Sequence, residues 1–357
     1  MSRTSRSSSD PLISVILPVF NAESFIEESI ESILSQTIND LELIVIDDGS
    51  EDGSWGKIRS AASRDGRIRP LRNKKNRGLI YTLNKGLLES KGLYVARMDA
   101  DDISLPDRLS SQIEFMEKHD VDFCGCWIRL LGSIRKRIIC FPETDIGFKT
   151  LLLFQTPFSH PTLVMRRKII SAGFRYRSDA VHAEEYDLAV QLAKYYRMGN
   201  VPKVLLMYRV HKSQVSNLHR RRQLESAARI RREALRALGI PAGPEQVYLH
   251  GYLRYPRPIA SLEELRAYRN WLETLCLYFK EKQEAKRVVA EQWLRVCIRA
   301  TQLGPRVVSE YRKSFLLRHY NASYKQQADL LLASLFRLRY GSRMFRILES
   351  LSLSPGF

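Results

Sequence analysis

Residues 41–50 read LELIVIDDGS. An almost wholly apolar run, Leu41 to Ile46, stops at two adjacent carboxylates, a glycine and a serine. The run has the composition of a buried strand, and Asp47-Asp48-Gly49-Ser50 has the chemistry of a turn. Upstream, residues 13–20 read ISVILPVF, a second β-branched run, followed by Asn21. Between the two, residues 24–34 put Phe25, Ile26, Ile30, Ile33 and Leu34 at helical spacing, with Glu27, Glu28 and Glu31 opposite. Strand, helix and strand joined by short connections form a βαβ unit, so the sheet should be parallel with a right-handed crossover.

The pattern recurs. Residues 80–88 read as a helix closed by Gly92, and 93–98 as a strand running into Asp99, Asp101 and Asp102. Pro106 opens another helix to about His119, and 121–131 is rich in β-formers. Two strands therefore end in acidic clusters. Ligands of open α/β sheets bind at the carboxyl ends of strands, so both clusters should line one crevice. Three carboxylates within four residues repel one another unless a cation intervenes. Hard oxygen donors suit Mg²⁺ or Mn²⁺, with a substrate diphosphate completing the shell. The alternative is a solvated acidic turn before Pro106. Asp47 and Asp48 can accept from a nucleobase N–H or a ribose hydroxyl, or can be ordinary turn residues.

The composition is that of a water-soluble globular chain: 44% hydrophobic and 27% charged over 357 residues, enough for two domains. No apolar run approaches the roughly 18–20 residues of a membrane span. Residues 1–11 read as a disordered, Ser/Arg-rich lead without the apolar stretch of a secretory signal. Cys124, Cys126, Cys140, Cys276 and Cys297 lack the paired spacing of a zinc site and read as buried, reduced thiols of a cytoplasmic protein. The net charge of +18 is uneven, with +14 of it from residue 217 onward. There the sequence changes to helix-like stretches at 218–238, 262–282, 284–303 and 324–338, punctuated by prolines. Residues 12–217 are thus expected as an α/β domain and 218–357 as a basic, all-helical domain. Arg220, Arg221, Arg222, Arg229, Arg231, Arg232 and Arg236 should form a positive face, suited to peripheral contact with an anionic membrane at its inner side. No nucleic-acid-reading motif accompanies it, so nucleic acid is not an expected partner.

Taken together, residues 12–110 closely resemble the family 2 glycosyltransferases, the inverting group with the GT-A fold. The matching elements are SVILPVFN (14–21), SILSQT (32–37), ELIVIDDGS (42–50) with Asp52, NRGL (76–79), LNKG (83–86), ARMDADD (96–102), and Pro106 with Arg108. A looser match continues through His160-Pro161-Thr162, AEEYDL (183–188) and YRVHKSQVS (208–216). The resemblance implies a GT-A, Rossmann-like, mainly parallel sheet flanked by helices, with a nucleotide-binding half (12–110) and an acceptor half (111–217). It implies a nucleoside-diphosphate sugar donor (UDP-, GDP- or dTDP-linked), Mn²⁺ or Mg²⁺, and a glycan or glycolipid acceptor, in cell-surface polysaccharide assembly.

By the same resemblance, Pro18, Val19, Phe20 and Asn21, with Asp47 or Asp48, would hold the nucleobase. Asp99 would meet the ribose, and Asp101 would be the principal metal ligand. Arg77 and Arg97 would lie near the nucleotide, and His211 near the metal or diphosphate. Glu185 stands where the family has the Asp that acts as general base, with Glu184 beside it. Glu is one methylene longer than Asp. That departure admits a second reading, a nucleotide-sugar-binding regulatory or scaffold protein with impaired transfer.

Overall fold

The computed structural model describes residues 10–132, 137–211 and 220–351, without the side chains of 349–351. The segment 212–216 that closes the resemblance lies outside them. The chain divides into two compact units. One takes residues up to Phe148 and Thr156–Ser226; the other takes Lys149–Gln155 and the residues from Ala227 onward. The change of sequence style at 217/218 therefore lies close to a structural division, but a short internal segment crosses to the second unit.

The first unit is built on nine strands. In chain order its elements are β1 (Ile13–Val19), α1 (Ile26–Leu34), β2 (Leu41–Asp47), α2 (Ser54–Arg64), β3 (Ile68–Arg72), α3 (Leu79–Glu89), β4 (Tyr94–Arg97), β5 (Ile103–Ser104), α4 (Arg108–Lys118), β6 (Phe123–Leu131), β7 (Ile138–Ile139), α5 (Asp145–Leu152), β8 (Val164–Arg166), α6 (Arg167–Ser171), α7 (Glu184–Leu192) and β9 (Met198–Arg209). The sheet order is β3-β2-β1-β4-β8-β6-β9-β5, with β7 beside β6. The first four strands in that order are parallel; β8 is antiparallel to both neighbours, and β5 is antiparallel to β9. The parallel expectation thus holds for β1 to β4, and the sheet is mixed beyond them.

Every residue of β1 is buried, as a central strand covered on both faces requires. Pro18 is tolerated because pairing with β4 ends at Ile16, so its missing N–H removes no ladder bond on that side. Val19 pairs with Asp47, and Ile16 with Arg97. The carboxyl ends of β1, β2 and β4 therefore finish along one edge. Asn21 takes a left-handed backbone (φ 49°) just beyond β1.

Two elements of this half escaped the sequence pattern. β3 is the edge strand, where Pro70 and its arginines are at home. α2 buries only Ser54, Ile58 and Ala61, too few for a clear apolar stripe.

The second unit is helical: α8 (Arg220–Ala237, whose first residues belong to the first unit), α9 (Pro244–Tyr252), α10 (Leu262–Tyr278), α11 (Gln283–Ile298), α12 (Arg306–Lys313), α13 (Tyr324–Leu335) and α14 (Arg343–Leu351). The expected helix over 284–303 ends earlier, and Thr301–Leu303 is a separate 3₁₀ turn. Its core includes Trp271, Leu275, Val289 and Trp293. Of the expected positive face on α8, Arg220, Arg221, Arg222 and Arg236 are exposed and Arg229 and Arg232 half-buried; only Arg231 departs from it. Arg231 is buried and donates to the Gly251 carbonyl at 2.9 Å, while Arg221 and Arg229 pair with Glu225 and Glu233 one turn on. The thiols are free, but Cys140 is exposed where burial was expected. Among the described residues, no helix is long and apolar enough to cross a membrane.

Candidate active site

The loop after β2 is built around the carboxylate of Asp48. It accepts from Asn73 Nδ2 at 2.7 Å, the Arg77 amide at 2.9 Å and the Gly78 amide at 2.8 Å. Asp48 thus pins the 76–78 turn and the start of α3. Gly49 fits here for two reasons. Its φ is +75°, and an added Cβ would lie 2.6 Å from the Lys75 carbonyl carbon. Asp47 has no exposed surface; its carboxylate lies 2.9 Å from Arg72 Nε and accepts from the Ser50 amide. Asn21 closes the edge, donating its amide to Ser50 Oγ and accepting from the Glu51 amide through Oδ1. Phe20 is exposed beside it, and Arg77 lies over the Tyr81 ring at 4.5 Å.

Asp99, Asp101 and Asp102 sit between β4 and β5. Each places an oxygen within 4.8 Å of the others. Burial, together with the Asp101 charge, pushes Asp99 up to about 6 against the opposing pull of Arg97. Burial, then the Asp99 and Asp101 charges, pushes Asp102 well above the carboxylate range. The backbone of the cluster is held from two sides. Ser29 donates its hydroxyl to the Asp99 carbonyl at 2.8 Å. Arg209 donates its amide to Asp102 Oδ1 and its Nε to the Asp101 carbonyl, both at 2.8 Å.

The pairing of β5 with β9 brings His211 into this cluster. Ile103 pairs with Met207 in antiparallel register, so the chain leaving β9 passes back beside residues 99–102. His211 Nε2 consequently lies 2.8 Å from Asp101 Oδ2, and its ring stacks on Phe25 at 5.2 Å.

The residues expected on the acceptor side gather at the N-terminus of α7. Glu184 and Glu185 occupy its first turn, after His182 in a left-handed conformation (φ 63°). His160 Nδ1 is 3.9 Å from Glu184 Oε1 and 3.8 Å from Glu185 Oε2, while its Nε2 lies 3.1 Å from the Tyr176 hydroxyl. Burial and the Arg97 charge hold the imidazole well below its usual pKa, so it is neutral near pH 7. Burial, then the Glu184 charge, pushes Glu185 up to about 8; burial raises Glu184 as well.

Arg97 joins the two groups. It lies 2.5 Å from Asp99, and its charge acts on Glu184 and Glu185 as well. Asp187, the last acid of the motif, is buried and salt-bridged to Arg177 through Nε at 2.8 Å, which shapes the segment before α7.

Other residues do quieter work. Asn84 of LNKG donates to the Tyr176 carbonyl at 2.8 Å and accepts from its amide at 3.1 Å. Lys85 holds Asn73, the partner of Asp48, at 2.9 Å. Gln36 of SILSQT donates to the Leu105 carbonyl and accepts from the Leu109 amide. Arg108, fully buried, donates to the carbonyls of Arg97 and Pro161 and to Ser104 Oγ. Tyr176, Asn73, Ser29 and Arg209 were not singled out from the sequence. Tyr176 lies in no motif, whereas Arg209 sits in one, two positions before His211.

A Rossmann-like sheet with acidic loops at its parallel edge, and a basic-residue bridge to a second acidic pair, defines a GT-A glycosyltransferase architecture. Residues 14–170 match the model of Glycosyl transferase family 2. An uncharacterized glycosyltransferase of Haemophilus influenzae is 35% identical over 235 residues, covering 62% of this chain and 73% of that protein. The O-antigen biosynthesis glycosyltransferase WbnJ of Escherichia coli is 32% identical over 206 residues, covering 56% of this chain and 80% of that one. A mannosyltransferase of Pyrobaculum calidifontis, solved with GDP-Man and Mn²⁺, has a similar fold: TM-score 0.51, 19% identity, 92% of this chain and 86% of that one. The chain belongs to glycosyltransferase family 2.

Proposed function

We propose that the chain transfers a sugar from a nucleoside-diphosphate donor to an acceptor hydroxyl on a glycan or lipid-linked glycan, inverting the anomeric centre. The observation that carries this reading is the single arginine, Arg97, tied to Asp99 on one side and felt by Glu185 on the other. It supports one reaction centre with a diphosphate-binding side and a proton-accepting side. Similarity to WbnJ supports a place in cell-surface polysaccharide assembly.

On the donor side, the backbone of Pro18–Asn21 with Asp48 would receive the nucleobase, Asp47 supporting the loop from beneath. Asp99 would meet the ribose, and Arg77 and Arg97 the phosphates. The donor set suits a hard divalent cation: three clustered carboxylates, a histidine against Asp101, and Asp102 Oδ2 buried without a hydrogen-bond partner among the described residues. Asp101 and His211 would hold it. A Mn²⁺ or Mg²⁺ ion there supplies positive charge to the leaving diphosphate, and the similar mannosyltransferase's Mn²⁺ supports that choice.

On the acceptor side, Glu185 would take the proton of the attacking hydroxyl as the new glycosidic bond forms and the sugar–phosphate bond breaks. Glu184 keeps Glu185 basic through like charge, and Tyr176 with His160 would orient the acceptor. Incubation with UDP-, GDP- and dTDP-sugars plus Mn²⁺ or Mg²⁺ tests the reading, with the product's anomeric configuration read by NMR. Retention of configuration would overturn the inverting step; no turnover of any donor with any acceptor would sink the transferase reading.

A further inference from the structure

The last two described helices present large apolar side chains outward. α13 buries Asp329 and Ser334 along with Leu330 and Ala333. Its outward stripe carries Tyr324, Ala328, Leu331, Leu332 and Leu335, at the spacing i, i+4, i+7, i+8 and i+11 of one helical face. Phe336 extends the stripe and is 73% exposed; Leu335 is 52% exposed and Tyr324 is 94%. α14 adds Met344 and Ile347, both exposed. Every charged residue from 330 to 348 is an arginine: Arg337, Arg339, Arg343 and Arg346, all exposed.

We propose that the α13–α14 end of the helical unit docks on an anionic lipid bilayer surface. A solvated helix places its polar residues outward, whereas α13 turns Leu331, Leu332 and Leu335 outward. Large exposed apolar side chains, with four exposed arginines as the charged residues from 330 to 348, match the interface of a bilayer. The apolar groups enter the acyl boundary there, and the guanidinium groups stay with phosphate headgroups on their flexible stems. A second copy of the chain is a poorer occupant. A two-fold contact would set four arginines against the same four, with Glu349 as the single acid in the sequence from 330 to 351. The surface differs from the α8 face expected from sequence.

Co-sedimentation of the full chain with vesicles tests this. The chain should bind phosphatidylcholine vesicles containing phosphatidylglycerol and ignore phosphatidylcholine alone, and added salt should weaken binding. Replacing both Arg343 and Arg346 with alanine should weaken binding about 30-fold, and Leu335→Ser with Phe336→Ser should abolish it. A Phe336→Trp variant, which keeps the patch apolar, should show an emission shifted to the blue, relative to the parent chain, when anionic vesicles are added. Equal binding to both vesicle types, binding that both double variants retain, or the absence of that added shift in the Phe336→Trp variant would each overturn the proposal. So would failure to bind vesicles combined with a dimer that the Phe336→Ser change disperses, or with capture of an acidic protein instead.

Discussion

The Arg97 guanidinium lies 2.5 Å from Asp99 Oδ1, and its Nε and Nη1 are buried with no hydrogen-bond partner among the described residues. Two unused donors in a fixed fork beside a carboxylate fit an oxyanion better than a point charge would. Arg97→Lys, which keeps the charge but not the fork, should raise the donor KM about tenfold or more. An unchanged KM would remove Arg97 from the donor site.

Asp101 and His211 approach to 2.8 Å. If they share a cation, Asp101→Ala and His211→Ala should both reduce transfer, and a chelator should do the same to the unaltered protein. Excess Mn²⁺ should restore His211→Ala more fully than Asp101→Ala, since a carboxylate supplies the charge a hard cation prefers. Full chelator resistance of transfer would exclude a metal role for the pair.

Glu185, raised to about 8, governs a pH limb. A base acts in its ionised form, so kcat/KM should climb as pH rises and level off above about 8. Stability runs the other way. Between the ordinary carboxylate range and about 8, the folded chain keeps a proton that the unfolded chain has lost, so stability falls as pH rises. Glu185→Gln should flatten that decline, seen as a higher Tm near pH 8, while slowing transfer by about 10²–10⁴-fold. A glutamine variant with the parent's rate and pH profile would exclude Glu185 as base.

Gly49→Ala meets both a left-handed backbone and a carbonyl carbon at 2.6 Å. It should cost about 2 kcal/mol or more in denaturant unfolding. Asp48→Ala should cost a similar amount, because it leaves the Arg77 amide without its acceptor and removes one acceptor each from the Gly78 amide and Asn73 Nδ2. Neutral effects at both would mean the junction of these loops is looser than its hydrogen bonds imply.

The sequence disclosed most of the nucleotide half because its strands are covered on both faces and so read as unbroken apolar runs. It concealed β3, since an edge strand can carry arginines and proline without penalty. The acidic loops were legible as residues, but their partners were not. His211 meets Asp101 only through the β5–β9 pairing, a contact across 110 positions that no local pattern encodes. Tyr176 stayed hidden for the same reason, being placed by a distant asparagine. On α8 only Arg231 left the arginine-rich face the sequence suggested, because side-chain charge says nothing of which carbonyls a helix will meet when it packs.

Asn84 grips residue 176 wholly by its main chain, one bond to the amide and one to the carbonyl. Such a latch is blind to side-chain identity. Position 176 can therefore exchange its aromatic ring for another group without losing either bond that ties the segment to α3. Under the proposed function, a substitution there would alter the acceptor side alone and leave the residues proposed for the donor in place.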